Sequence, residues 1–270
     1  MNRYLSLIET PQAAIGRFDH PAEDCHHDLP EEVSAEHSIG LVERGRFSIQ
    51  IGHRTWNLRP GDLFLTYPGL AYKAHHDEEV PTDVCVSVTY LEQCDEVANL
   101  ALAARKHPVI PATNRVTYLF RTFSTNPSGT TAALAAEDAA VSVLSEVCAQ
   151  QDPGKKRFSH HQLAWYAERV DATRARLESH LTSANSLTSL ARSVGMSPFH
   201  FARVFRELAG VPPHRYLLQV RLKAAARQLR QGASVTEACF NTGFSNLSHF
   251  IRSFRRAYGV SPARYARQNI

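Results

Sequence analysis

Apolar and polar residues alternate in short runs over the first third of the chain. SIGLVERG and RFSIQIG lie within residues 38–52, on either side of a turn at Gly45. The same pattern continues in RTWNLRPGDLFLTYPGLAYKAHH, residues 54–76, and ends with DVCVSVTY, residues 83–90. Short alternating runs separated by glycine and proline predict a small β-barrel or a double-sheet sandwich over residues 1–95.

The middle of the chain changes to a helical period. TTAALAAEDAAVSVLSEVCAQQ, residues 130–151, places leucine and valine at helical spacing, and HHQLAWYAERVDATRARLESHL, residues 160–181, repeats that period. We expect residues 96–170 to form a helical linker or dimerisation segment, and residues 171–270 to form an all-α domain. The expected fold class is therefore α+β, with the β domain first.

The last part of the chain contains an internal repeat. SLTSLARSVGMSPFHFARVFRELAGVPPHRY, residues 186–216, matches SVTEACFNTGFSNLSHFIRSFRRAYGVSPARY, residues 234–265. Gly195 aligns with Gly243, and the residues that follow align again after one inserted residue in the second copy. The repeated unit is too short for a domain, but it has the length of a helix-turn-helix motif.

Each copy combines a short helix, a glycine that ends it and a second, amphipathic helix. The segment between the copies, residues 212–232, predicts one long helix that begins at Pro212 and Pro213 and ends at Gly232. This helix would hold the two copies apart. On the second helices we expect buried side chains at Phe201, Val204, Phe205 and Leu208 in the first copy, and at Phe250, Phe254 and Ala257 in the second.

The opposite face of each second helix carries the candidate DNA contacts. Arg203 and Arg252 occupy equivalent positions, and the guanidinium fork matches the O6 and N7 atoms of guanine. Arg206 and Arg255 follow one turn later and suit phosphate contacts. Apolar side chains on the same face suit thymine methyl groups, chiefly Phe199, Leu247 and Ile251. The full set of candidate DNA-binding residues is Phe199, His200, Ala202, Arg203, Arg206, Leu247, Ser248, Ile251, Arg252 and Arg255.

The charge distribution supports a polyanionic partner for the repeat. The whole chain has a net charge of +4, but residues 171–270 hold 15 Lys and Arg against 4 Asp and Glu, a net charge of +11. Residues 1–170 hold 15 against 22, a net charge of −7. This separation predicts that double-stranded DNA binds the C-terminal hundred residues.

The doubled pattern GMSPFHFARVFRELAGVPPHRYL and GFSNLSHFIRSFRRAYGVSPARY, with its long connecting helix, resembles the arabinose-regulator (AraC/XylS) family of bacterial transcription regulators. The resemblance covers about residues 171–270. It implies promoter DNA and RNA polymerase as partners, and activation of transcription. Ala202 is short where a polar base-contacting residue would fit, and Leu247 and Ile251 are apolar. We therefore expect the second copy to contact methyl groups more than to form hydrogen bonds with bases.

The run LVERGRFSIQIGHRTWNLRPGDLFLTYPG resembles, more loosely, the cupin-like jelly-roll effector domain of that family. This resemblance implies a small-molecule or metal effector and a homodimer. The His-x-His pattern of metal-binding cupins, followed by a spaced Glu, is incomplete. Thiolates and imidazoles bind zinc and similar metals, so Cys25, His75, His76 and Cys85 form a candidate metal site. A redox pair of Cys25 and Cys85, or ordinary loop and core roles, are the alternatives.

The sequence does not favour a membrane protein, a secreted protein or an enzyme. No apolar run reaches the roughly 18 residues of a membrane span, and the N-terminus MNRYLSLIETPQ lacks a signal-peptide core, so we expect a cytoplasmic protein without a membrane partner. Five cysteines without paired spacing suggest reduced thiols. P-loop, GxSxG, HExxH and kinase motifs are absent, so we expect no enzyme. The alternatives to a regulator with an effector are a cupin-type metalloenzyme and a ligand-free dimerising regulator.

Overall fold

The structure is a computed structural model that describes residues 3–21, 31–76, 82–91, 94–125, 130–149, 157–183 and 185–267. The chain forms two compact units, Met1–Arg157 and Phe158–Ile270. Within the described residues, the first unit combines two β-sheets with three helices, and the second unit is helical. The predicted α+β class, with a β-rich N-terminal part and an all-α C-terminal domain, is confirmed.

Ten strands in the described part of the first unit form two antiparallel sheets. They are β1 (Arg3–Glu9), β2 (Ala13–Pro21), β3 (Glu32–Val33), β4 (His37–Arg44), β5 (Phe47–Ile51), β6 (Arg54–Leu58), β7 (Asp62–Thr66), β8 (Ala71–His76), β9 (Thr82–Tyr90) and β10 (Val109–Pro111). The larger sheet has the order β1-β2-β9-β4-β7-β10, and the smaller sheet has the order β3-β8-β5-β6. The double-sheet arrangement agrees with the alternating pattern of the sequence.

The larger sheet is covered on both faces, and the pleat assigns side chains to each. Leu41 lies opposite Val86, and both point into the core that the sheet shares with helices. Val42 lies opposite Cys85, and both join the cluster that the two sheets share with Ile49. One strand pair thus contributes to both apolar layers of the first unit.

Three helices of the first unit pack on the sheet: α1 (Asp95–Lys106), α2 (Asn114–Thr125) and α3 (Thr130–Ala149). Leu100, Phe120 and Val143 are fully buried in the same core as the sheet residues. The predicted linker segment, residues 96–170, is therefore divided between the units, because these helices need the sheet to bury their apolar faces. Its use as a dimer contact stays a prediction.

The second unit contains seven helices in its described residues: α4 (His160–Ser179), α5 (Leu187–Ser193), α6 (Pro198–Ala209), α7 (Pro213–Arg230), α8 (Val235–Asn241), α9 (Leu247–Tyr258) and α10 (Pro262–Arg267). The predicted long helix is confirmed as α7, which has Pro213 in its first turn and is followed by Gly232. No helix in the described residues is both long and apolar enough to cross a membrane.

Candidate nucleic-acid interface

The repeated segments fold into two helix-turn-helix pairs, the first head (α5 and α6) and the second head (α8 and α9). Gly195 and Gly243 follow the first helix of each pair with φ angles of 68° and 86°, a conformation that glycine adopts without strain. The N–H group after each glycine donates to a carbonyl five residues earlier, at 3.0 Å from Met196 to Ala191 and at 3.2 Å from Phe244 to Cys239. The predicted turn is thus the same in both copies.

The two faces of α6 differ sharply in exposure. All four side chains predicted to be buried are fully buried: Phe201, Val204, Phe205 and Leu208. On the other face, the Phe199 ring is 90% exposed, and Arg203 and Arg206 are also exposed. Ala202 is half-buried between them. An exposed aromatic side chain on the same face as exposed arginines combines two residue types that are enriched at binding interfaces.

His200 is the member of the predicted set that the structure turns toward protein. Its Nε2 atom lies 3.0 Å from the hydroxyl oxygen of Tyr166 in α4, and the two ring centroids are 5.4 Å apart. His200 is half-buried there. A DNA contact by His200 stays a prediction, but this ring also holds α4 against the first head. Local patterns could not predict the contact with Tyr166, because it joins residues 34 positions apart in two different helices.

The second helix of the second head begins at a polar cap and buries two phenylalanines. The side-chain oxygen of Asn246 accepts a hydrogen bond from the His249 N–H group at 2.9 Å. Phe250 and Phe254 are fully buried, as predicted. The prediction for Ala257 is wrong: it is exposed, and Tyr258 stacks on Phe254 at 4.5 Å instead. Positions four residues apart lie on the same helix face, which explains the exchange.

The outer face of α9 is polar at its centre and apolar at its edge. Ser248, Arg252 and Arg255 are exposed. Leu247 and Ile251 are half-buried and pack against the apolar core of the second head. Their predicted contacts with thymine methyl groups would therefore use only the uncovered part of each side chain. The exposed His249, next to Ser248, was not predicted, and its place in the first turn after the Asn246 cap was the available signal.

The arginines on these faces keep their charge available. In the described part of the chain, no carboxylate pairs with Arg203, Arg206, Arg252 or Arg255. Unpaired guanidinium groups on an exposed helix face are what a phosphate backbone attracts. Both heads therefore carry the same chemistry: a buried aromatic stripe and, opposite it, two exposed arginines one turn apart.

The three candidate metal residues that the structure describes, His75, His76 and Cys85, do not form a ligand group by themselves. Cys85 lies in the apolar cluster between the sheets, and burial, with the nearby Asp83 and Glu43 carboxylates, raises the pKa of its thiol to about 12. Such a thiol stays protonated at neutral pH, whereas metals bind the thiolate. Cys25 lies outside the described residues.

His76 is engaged by other partners. Its Nδ1 atom lies 2.8 Å from an Asp83 oxygen, and its ring stacks on the ring of His20 at 3.6 Å. Within the described residues, His75, His76 and Cys85 do not form a group of three ligands that could hold a metal ion. The four-residue metal site stays a prediction.

Two family models match the chain. A model described as "Helix-turn-helix domain" matches residues 190–268, which include α6 to α9. A model described as "AraC-like ligand binding domain" matches residues 21–114 of the first unit. The match to the second model agrees with the placement of a ligand-binding domain before the DNA-binding domain.

Two curated relatives each match less than a third of the chain. The chain is 36% identical over 73 residues to an uncharacterised HTH-type transcriptional regulator of Bacillus subtilis, YbfI, covering 27% of this chain and 26% of that protein. It is 35% identical over 85 residues to the HTH-type transcriptional activator RhaS of Escherichia coli, covering 31% of each. Among solved structures, a transcriptional regulator with an AraC-type DNA-binding domain from Chromobacterium violaceum is 25% identical, with a TM-score of 0.37, over 39% of this chain and 96% of that chain. The chain thus spans about a quarter to a third of the length of these two curated relatives.

Proposed function

We propose that this chain, which belongs to the AraC family of DNA-binding transcription regulators, binds promoter DNA with both heads at once and alters transcription when its first unit binds an effector. The observation that carries the proposal is the repetition of one surface. Two helices of equal length, α6 and α9, each bury two phenylalanines and each expose an equivalent arginine, Arg203 and Arg252.

The proposed division of work between the arginines follows from their positions. Arg203 and Arg252 lie near the middle of their helices and are placed to contact guanine, which is worth about 1–3 kcal/mol of discrimination for a bidentate pair. Arg206 and Arg255 lie one turn nearer the C-terminal end and would contact phosphates, which orient the helix without distinguishing bases. Phe199 would cover a thymine methyl group.

Selection of bound duplexes from a random DNA library tests the proposal. The full-length wild type is expected to enrich two short boxes, and Arg203→Ala and Arg252→Ala are each expected to lose the preference at one base of one box. Arg176→Ala, at an exposed position of α4 outside the two repeated segments, is the matched control and should enrich the wild-type boxes. If no duplex is enriched with or without candidate effectors, the proposal fails.

The first unit is proposed to bind a small apolar or aromatic effector between its sheets. The apolar cluster there includes the partly buried aromatic side chains of Phe47, Trp56 and Tyr72 around the fully buried Ile49. Trp56 fluorescence in a Trp165→Phe background would report binding in this cluster. Metal analysis of the same sample distinguishes a metal effector from an organic one. A metal retained in stoichiometric amount would support a site formed by Cys25, His75, His76 and Cys85.

Four further properties belong to the same proposal: the chain is not an enzyme, acts in the cytoplasm, forms a homodimer, and activates transcription by contacting RNA polymerase. The similarity to the activator RhaS supports activation of transcription over repression. Transcription from a promoter that carries the selected boxes, with purified RNA polymerase, measures that sign. A decrease on addition of the protein would make it a repressor.

A further inference from the structure

The two equivalent turn glycines differ in what surrounds them. A Cβ atom added at Gly195 would have no heavy atom within 4 Å. At Gly243 the same atom would lie 2.5 Å from the carbonyl oxygen of Leu181 and 3.0 Å from the Cα atom of Thr182. Gly195 is therefore needed only for its backbone conformation, whereas Gly243 is also needed for a close approach between two backbones.

The backbone that Gly243 approaches belongs to the other half of the unit. Leu181 and Thr182 form the turn between α4 and α5, just before the first head. Gly243 forms the turn of the second head. The contact thus joins the second head to the segment that leads into the first head, although Leu181 and Gly243 are 62 positions apart in the chain.

Arg221 of α7 completes this contact. Its Nε–H group donates to the same Leu181 carbonyl oxygen at 2.9 Å. Its Nη2 atom lies 3.0 Å from where a Cβ atom on Gly243 would stand. Burial lowers the pKa of Arg221, as expected for a guanidinium group drawn into a protein contact. We call the Leu181 carbonyl, Arg221 and Gly243 the joint.

The joint lies beside a cavity between the heads. The cavity has a volume of ≈ 520 Å³ and is lined by residues of both heads, among them Leu190, Ala202, Phe244 and His249. Side chains that face a cavity do not interlock, so they resist relative movement of the heads weakly. By contrast, α7 shares a continuous apolar core with the second head. Near its start, α7 is attached through Tyr216, whose ring contacts Phe205 of the first head and whose hydroxyl oxygen accepts a hydrogen bond from Arg174 of α4. The joint is the attachment of the second head's turn to the chain that leads into the first head.

We propose that the Leu181–Arg221–Gly243 joint sets the distance and angle between the heads, and thereby the spacing of the two DNA boxes that the protein accepts. Arg221 and Gly243 are positioning residues in this role, since they act through the heads. The inference rests on the proposed function, because it concerns how two DNA-binding surfaces are held.

The test measures spacing preference with full-length protein on duplexes that carry both selected boxes, with the spacer lengthened or shortened one base pair at a time. Wild type and Gly195→Ala are expected to lose about 5- to 150-fold in affinity on the wrong spacing, the range of one lost base contact. Gly243→Ala is expected to accept neighbouring spacings within about threefold, or to prefer a different one. Gly195→Ala is the matched control because it has the same backbone conformation and no clash.

A second pair of variants keeps the test independent of folding. Arg221→Met removes the hydrogen bond to Leu181 and keeps much of the side-chain volume, and Arg227→Met removes an exposed arginine from the same helix. Only Arg221→Met is expected to broaden the spacing preference. If both joint variants keep the wild-type spacing, or if both controls broaden it equally, the joint has no such role although the proposed function stands. If wild type enriches no boxes, both proposals fall.

Discussion

Phe199 and Phe201 are the same residue type two positions apart in α6, and they lie at opposite extremes of exposure. The Phe199 ring is 90% exposed, and the Phe201 ring is fully buried against Phe205, with ring centroids 5.6 Å apart. Replacing each with alanine is expected to separate DNA binding from stability. One substitution removes a surface contact, and the other opens a cavity in the first head.

The expected magnitudes differ by several kcal/mol. Phe201→Ala is expected to lower the free energy of unfolding of the second unit by about 3–5 kcal/mol, since the lost ring leaves a cavity in a packed core. Phe199→Ala is expected to change it by less than about 0.5 kcal/mol, as at most exposed sites. If Phe199 contacts a thymine methyl group, its loss weakens binding to the selected duplex by about 1 kcal/mol, or about fivefold in Kd.

Fluorescence offers a clean assay for the second unit. The chain has two tryptophans, Trp56 in the first unit and Trp165 in α4. In a Trp56→Phe background, urea unfolding followed by fluorescence reports Trp165 alone, where the Arg169 guanidinium lies 3.4 Å from the ring centroid. Anisotropy with labelled duplex at fixed salt gives Kd. A loss of more than about 1 kcal/mol of stability in Phe199→Ala, or of less in Phe201→Ala, would refute the assignment of the two faces.

The remaining predictions concern phosphate contacts, thiol reactivity and pH. Arg206→Ala and Arg255→Ala are each expected to weaken DNA binding about equally on all duplexes. Each is also expected to lower the slope of log K against log salt concentration by about one. A changed base preference would contradict phosphate contact. The exposed Cys94 is expected to react with iodoacetamide at about pH 8 long before Cys85, because a pKa of about 12 keeps the Cys85 thiol protonated; equal rates by mass spectrometry would contradict its burial. Burial, opposed by the weaker effect of Glu36, lowers the pKa of His37 below its ordinary value of 6.5. As the pH falls below 6.5, His37 takes up a proton in the unfolded chain before it does so in the folded chain. The free energy of unfolding therefore falls between pH 6.5 and the lower pKa of His37 in the folded state. Urea midpoints at about pH 7.5 and about pH 5.5 are expected to differ more for wild type than for His37→Gln, and equal differences would show that His37 does not contribute.

Local patterns were enough to predict the two heads. The apolar spacing on α6 and α9 fixed which face is buried, and Gly195 and Gly243 marked the turns, because these features depend on helix geometry within a dozen residues. Ala257 was misplaced because Tyr258, four residues after Phe254, lies on the buried face and stacks on Phe254.

Long-range partners were beyond the reach of local patterns. Strand β10 has three residues within a segment of helical period, and it forms only because β7 offers an open edge. Helices α1 to α3 have apolar faces, but an apolar face does not indicate which element packs against it. The sheet was therefore not predicted as their partner. The orientation of His200 depends on Tyr166, and the joint depends on a carbonyl oxygen, which no side-chain pattern encodes.

The joint also bears on the DNA between the boxes. If the heads are held in one arrangement, the duplex becomes the partner that changes shape, and it must bend or twist until both groove faces meet their helices. The cost of that deformation depends on sequence, because pyrimidine–purine steps kink easily and A-tracts are stiff. Base pairs that neither Arg203 nor Arg252 touches would then affect affinity through their stiffness alone.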